Sequence, residues 1–114
     1  MTRIVYEPAR LLLRMEGHAG AGTEGEDLVC AALSMLAMTL ERRVTELEEH
    51  CFPSVSRAPG TLLIACSPDE TGLGQCRECF ETVAAGLALL AAEKPEYVRF
   101  RREEDEEQEE DLEA

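Results

Sequence analysis

Cys30 and His18 are the two residues whose types and spacing could support nucleophilic catalysis. Cys30 is predicted to lie in the first turn of a helix, three residues after Asp27, which is a favourable N-cap residue. Unpaired backbone N–H groups and the positive end of the helix dipole stabilise a thiolate there, and the thiolate is the form that attacks carbonyl carbons. The same N–H groups could hold an oxyanion. Cys30 is therefore a candidate nucleophile.

His18 is the candidate base for this thiol. It lies twelve residues before Cys30, in a stretch from residue 17 to 25 that contains four glycines. Such a loop could fold back and bring the imidazole to the sulfur, which would give an activated Cys–His dyad. The alternative is a buried, inert cysteine, because a cysteine in a helix rich in Ala and Leu usually packs as a small apolar residue.

The residues around this pair resemble the signature of the ribosomal-processing cysteine protease family (Prp, YsxB-like). The pattern is G-H-A, two residues, G, two residues, G, one residue, D, two apolar residues, C-A, two residues, S. Every fixed position is matched, by Gly17, His18, Ala19, Gly22, Gly25, Asp27, Cys30, Ala31 and Ser34. Over residues 1 to about 100 the length and the order of predicted elements are also similar to the family.

The resemblance implies a cytoplasmic bacterial cysteine protease with Cys30 as nucleophile, His18 as its partner and no firmly assigned third residue. It implies a substrate as well, the large-subunit ribosomal protein twenty-seven precursor, from which a short N-terminal extension is removed. A homodimer, a glycine-rich loop that orders on substrate binding, and an apolar or aromatic residue before the cut are further implications.

The other residues of the signature are expected to position the loop and the substrate. They are Gly17, Ala19, Gly22, Gly25, Asp27, Ala31 and Ser34. The glycines would let the loop move and let the substrate backbone approach. Asp27 is interpreted as the helix cap, and orientation of His18 is its alternative role. Ser34 lies one turn after Cys30, where it either bonds within the site or bonds back to its own helix, and the second is favoured.

A weaker alternative function, thiol redox or zinc chemistry, would use Cys76 and Cys79, which form a C-x-x-C pair. These residues share a predicted helix face with Phe80, so packing in the core is the preferred interpretation. Cys66 and His50 could complete four ligands, but their spacing matches no zinc pattern. We therefore expect no metal and no cofactor.

The charge of the chain is concentrated at its C-terminus. The net charge is −13 over 114 residues, and residues 103–114 hold nine acidic residues and no basic one, which leaves −4 for residues 1–102. We expect one domain over 1–102 and a disordered acidic tail over 103–114, which either aids solubility or attracts a basic substrate. This balance argues against direct binding of nucleic acid or an anionic membrane surface.

An acidic surface also suits a second class of function, a non-catalytic module that binds basic ribosomal proteins. The sequence shows no apolar segment of membrane-spanning length and no signal peptide, so we expect a cytoplasmic protein whose five cysteines are thiols.

The hydrophobic pattern predicts an α+β domain in the order ββαββα, with a possible terminal strand. Two helices pack on a small, largely antiparallel sheet. The predicted elements are strands over 3–6 and 10–15, a helix over 27–50, strands over 52–56 and 61–67, a helix from Cys76 that ends at Lys94 and Pro95, and a strand over 97–101. For the short leucine run within 10–15, a helix is the alternative.

Overall fold

The computed structural model describes residues 1–17 and 24–104, with the backbone alone for residues 24–26. Within these residues five strands form one sheet: β1 Thr2–Glu7, β2 Leu12–Glu16, β3 Pro53–Ala58, β4 Thr61–Cys66 and β5 Val98–Arg102. The helices are α1 Glu24–Glu46, α2 Glu48–Cys51 and α3 Leu73–Glu93, and a 3-10 turn over Pro8–Arg10 connects β1 to β2. The α+β fold is confirmed. The acidic tail is predicted over 103–114: the structure describes Glu103 and Glu104, and residues 105–114 lie outside the described residues, so its disorder stays a prediction.

The sheet has the strand order β3-β4-β2-β1-β5. The pairs β1–β2, β2–β4 and β3–β4 are antiparallel, and β5 runs parallel to β1 at the edge. Strands β4 and β5 run in the same direction, and two parallel strands need a crossover connection between them. Helix α3 forms this crossover, because it carries the chain from β4 to β5. Both predicted hairpins and the terminal strand are confirmed.

The turn between β3 and β4 follows from its sequence. Ala58 pairs with Thr61, so Pro59 and Gly60 alone form the turn. Proline fixes the backbone angle of the first turn residue, and Gly60 adopts a φ of +75°, which other residues rarely take.

The core lies between one face of the sheet and the apolar faces of α1 and α3. Alternate strand residues point towards the helices, because side chains alternate across a sheet. The buried residues include Ile4, Tyr6, Leu13, Ile64 and Val98 from strands, Val29, Leu33, Leu40 and Val44 from α1, and Phe80, Val83 and Leu87 from α3. In the part of the chain that is described, no helix is long and apolar enough to cross a membrane.

The start of α1 differs from the prediction. The helix begins at Glu24, so Asp27 is an exposed residue inside it and not its N-cap. The sequence carries a signal for the earlier start, because Thr23 followed three residues later by Glu26 matches the capping-box pattern. Near this end of the helix Val29 takes the core position, and its neighbour Leu28 is 68% exposed.

The predicted end of the first helix is a separate short helix, α2. Leu47 interrupts the helical backbone with a φ of −106°, and Phe52 closes α2 in the left-handed conformation. His50 Nδ1 lies 2.9 Å from Asp69 Oδ2, and Asp69 Oδ1 accepts a hydrogen bond from the N–H of Gly72 before α3. The Asp69 carboxylate raises the pKa of His50. His50 thus links α2 to the start of α3.

Tyr6 joins the sheet to α3. Its ring stacks on Phe80, and its hydroxyl donates a hydrogen bond to Glu81 Oε2 at 2.6 Å. The Arg102 guanidinium donates two hydrogen bonds of 3.0 Å to the Glu81 carboxylate and lies 5.3 Å from the centre of the Tyr6 ring. Burial, and then the Glu81 carboxylate, raises the pKa of Tyr6. These contacts connect β1, α3 and β5.

Replacing Tyr6 should therefore weaken the attachment of α3 to the sheet. We expect Tyr6→Phe to lower the free energy of unfolding by about 1.5 kcal/mol, because a hydrogen bond to a charged group is lost. Urea denaturation measures this change. Tyr97→Phe is the control, since the Tyr97 hydroxyl makes no hydrogen bond within residues 1–17 and 24–104. Equal stability of the two variants would contradict the assignment.

Candidate active site

A cavity of about 460 Å³ opens between α1 and the sheet. Three residues of the sequence signature line it: Gly17, directly after β2, and Cys30 and Ser34 on α1. The other lining residues are Thr2, Met15, Glu16, Leu33, Ala37, Met38, Arg57, Ala58, Gly60, Thr61 and Leu62. The fold thus gathers residues from four strands, a turn and a helix around Cys30.

Cys30 reaches this cavity because of how α1 packs. Val29 and Leu33 hold one side of the helix in the core. Cys30 and Ser34 are four residues apart, so they share a neighbouring side of the helix. Cys30 is half-buried, whereas Cys51 is buried. The interpretation of Cys30 as a sealed core residue is therefore wrong.

Because α1 begins at Glu24, the helix start lies further from the Cys30 thiol than the sequence predicts. Cys30 is the seventh residue of α1 and lies in its second turn. The unpaired N–H groups belong to the first four residues of a helix, which here lie about 4.5 to 9 Å before Cys30 along the axis. Because the influence of the dipole falls off within the first turn, the helix start supports a thiolate less than predicted. Correspondingly more of the activation would have to come from a base.

Gly17 fixes one wall of the cavity. Its φ is +145°, and a Cβ at this position would lie 2.4 Å from the carbonyl oxygen of Met1 and 2.8 Å from Cα of Thr2. Its N–H donates a hydrogen bond of 2.9 Å to the carbonyl oxygen of Gly60. Only glycine fits between these two backbones. The point where the chain leaves β2, one residue before His18, is therefore fixed.

The remaining signature residues divide into two groups. His18, Ala19 and Gly22 lie outside the described residues, and so does the predicted approach of the imidazole to the thiol. Gly25 lies in α1. Asp27 and Ala31 are exposed on that helix and do not line the cavity.

Several cavity residues carry no sequence signal. Arg57 on β3 forms an ion pair with Glu41 on α1 and closes one side of the cavity. Met15 and Leu62 are partners across β2 and β4. Only the register of the strands and the packing of α1 bring these residues to the site, so spacing along the chain could not reveal them. The single local signal is the Pro59–Gly60 turn, which places Gly60 at the wall.

Three of the other thiols have a raised pKa. Burial raises the pKa of Cys66 to about 11 and also raises the pKa of Cys76 and Cys79. A raised pKa keeps each thiol protonated near neutral pH, and a protonated thiol is a poor nucleophile. All five cysteines lie among the described residues, and none is in a disulfide. The core-packing interpretation of Cys76 and Cys79 therefore fits better than the redox one.

The described residues show no arrangement of side chains suited to a metal ion. Within residues 1–17 and 24–104, no three His, Cys, Asp or Glu side chains come together as a ligand set. The zinc alternative, which needs Cys66 and His50 beside the C-x-x-C pair, thus has no geometric support among these residues.

Comparison with known proteins decides the class of this site. The family model described as cysteine protease Prp matches residues 5–99, which include Cys30. The chain belongs to the cysteine protease Prp family. It is therefore a cysteine protease. No curated protein matches the chain.

Solved structures share the fold of this chain. The essential ribosomal processing protease Prp from S. aureus, in complex with a substrate peptide, has a TM-score of 0.75 at 19% identity and covers 90% of this chain and 100% of that chain. The same protease with a covalently linked product peptide gives 0.74 at 20% identity, with the same coverage. SMU.848 from Streptococcus mutans gives 0.69 at 24% identity, over 91% of this chain and 93% of that chain. The TM-scores show that these proteins share the fold of this chain.

A side chain at position 17 should disrupt this site. We expect Gly17→Ala to lower the free energy of unfolding by about 2 kcal/mol, because the new Cβ meets two backbone atoms and the φ is unfavourable. Gly74→Ala is the matched control: Gly74 lies in α3, and a Cβ there meets nothing within 4 Å. Thermal or urea unfolding compares the two, and a Gly17→Ala protein as stable as the control would refute the close contact.

Proposed function

We propose that this protease removes the N-terminal extension of the large-subunit ribosomal protein twenty-seven precursor, with Cys30 as nucleophile and His18 as base. The observation that carries the proposal is the cavity that opens at Cys30 and contains Gly17 and Ser34, in a chain of the cysteine protease Prp family. The S. aureus relative, a ribosomal processing protease, supports the substrate class. Homodimerisation and a cytoplasmic location stay predictions.

The proposed reaction proceeds through an acyl-enzyme. His18 takes the proton of the Cys30 thiol, and the thiolate attacks the carbonyl carbon of the scissile peptide bond. His18 then gives this proton to the leaving amine, which is the new N-terminus of the mature ribosomal protein. Water, deprotonated by His18, hydrolyses the thioester and releases the extension, and the proton returns to the thiol. The covalently linked product peptide of the S. aureus enzyme supports a covalent route.

The walls of the cavity fit an apolar segment of substrate. Met15, Leu33, Ala37, Met38 and Leu62 supply an apolar lining. The volume of about 460 Å³ lies within the range of ligand-binding clefts, about 300–1,000 Å³. We therefore propose that this lining receives the apolar or aromatic residue that precedes the cut.

Removal of either dyad member should abolish processing. We expect Cys30→Ala and His18→Ala to lower kcat/KM on the precursor by at least about 10³-fold, because the nucleophile or its base is missing. Cys79→Ala is the control and should cleave normally, since Cys79 lies outside the cavity. Cleavage is followed by mass spectrometry of the precursor. Cleavage that persists in Cys30→Ala would overturn the dyad, and normal cellular function of Cys30→Ala would favour the non-catalytic binding module.

A charge in the apolar lining should impair recognition. Met38 lines the cavity and is 57% exposed, so Met38→Glu should fold normally and raise KM at least about tenfold, because burial of apolar substrate against a charge is unfavourable. Met35→Glu is the matched control, since Met35 lies on the same helix, is 64% exposed and does not line the cavity. Steady-state kinetics on a precursor peptide separates the two. Equal KM values would exclude this lining as the substrate subsite.

A further inference from the structure

The side of the sheet that faces away from the helices carries a concentration of arginines. Arg3 on β1 alternates with the buried residues Thr2 and Ile4, so its side chain points outward. The same alternation places Arg14 of β2 and Arg99 and Arg101 of β5 on this side. We call this surface the basic face and define it by Arg3, Arg14, Arg99 and Arg101.

The strand register brings these arginines close together. Arg3 is paired with Arg99, and Val5 is paired with both Arg101 and Arg14, so the four side chains occupy two adjacent rows across β5, β1 and β2. Within the described residues, Arg3 and Arg99 form no ion pair. Neighbouring like charges on a sheet repel each other, so the arrangement is unfavourable unless anions approach.

The acidic groups of this side leave the basic face with excess positive charge. Glu7 lies 3.3 Å from Arg10 and 4.0 Å from Arg14, and its side chain is only 13% exposed. Glu16 stands opposite Arg3 in the register but makes no ion pair with it within the described residues. In a chain of net charge −13, this is a surface where basic side chains outnumber acidic ones.

The acidic tail begins on this surface. The N–H of Glu103 donates a hydrogen bond of 2.8 Å to the carbonyl oxygen of Tyr6, which prolongs the pairing of β5 with β1. The Glu103 carboxylate accepts a hydrogen bond of 2.9 Å from Arg101, and Glu104 accepts one of 2.8 Å from Arg102. Glu103 therefore already pairs with an arginine of the basic face, whereas Arg102 points to the helix side of the sheet, where it also binds Glu81.

We propose that residues 105–114 bind the basic face of their own chain. This segment holds seven further acidic residues and no basic one, so its charge is complementary to the surface beside it. Ten residues reach up to about 33 Å when extended. The distance from β5 to β2 is about 10 Å, because neighbouring strands lie about 4.8 Å apart. The segment is long enough to contact all four arginines, and it neutralises the two that have no ion pair.

Carbodiimide cross-linking of the full chain tests this proposal, because it joins a carboxylate directly to an amine in contact with it. Lys94 is the single lysine of the chain, so an introduced lysine gives an assignable product. Arg3→Lys places an amine on the basic face and keeps the charge. Arg42→Lys is the control, on an exposed position of α1. Digestion and mass spectrometry identify the joined peptides.

The proposal expects an intrachain product between position 3 and a carboxylate of residues 105–113, at least about fivefold above the yield for Arg42→Lys. This product should disappear at 1 M salt, where the screening length falls to about 3 Å. Equal yields from the two variants would overturn the proposal. Products found only between two chains would also overturn it, because the tail would then bind a second copy.

A second pair of variants tests whether charge is the cause. In the Arg3→Lys background, Arg99→Glu should lower the yield at least about threefold, because the basic face loses an unpaired arginine. Arg77→Glu is the matched control, since Arg77 is exposed on α3 and the same charge is reversed there. If Arg99→Glu and Arg77→Glu give the same yield, the basic face does not hold the tail.

Discussion

The site depends on the contact that Gly17 makes with two other parts of the backbone. Its Cα lies against the carbonyl of Met1, and its N–H binds the carbonyl oxygen of Gly60. One residue without a side chain thus lies where the start of β1, the end of β2 and the β3–β4 turn meet. These three places form the sheet side of the cavity, and the segment that contains His18 begins at the same point. A change there would disturb the cavity wall at the point where the segment containing His18 begins.

The helix side of the cavity follows from core packing. Val29 and Leu33 fix the rotation of α1 against the sheet, and the 100° between successive residues then turns Cys30 towards the cavity. Arg57 and Glu41 tie β3 to the same helix. The position of the thiol is therefore set by apolar burial over the length of α1.

Sequence periodicity predicted the strands, their hairpins and the apolar faces of both long helices, because burial on one side of an element leaves a regular pattern. It misplaced the start of α1 at Asp27 and missed the break at Leu47, because helix ends depend on local backbone geometry. The signature located Gly17, Cys30 and Ser34 at one cavity. It could not reveal Met15, Leu62 or Arg57, whose places depend on strand register and on long-range packing.

The sheet also separates two surfaces that carry different chemistry. Met15 lines the cavity, whereas Arg14, the residue before it, lies on the basic face, because successive strand residues point to opposite sides. An acidic segment bound to the basic face would therefore leave the entrance at Cys30 open. It would also keep its negative charge away from the thiol, whose reactive form is itself an anion that nearby acidic groups disfavour. The placement of the arginines on the far side of the sheet is thus compatible with catalysis in a strongly acidic chain.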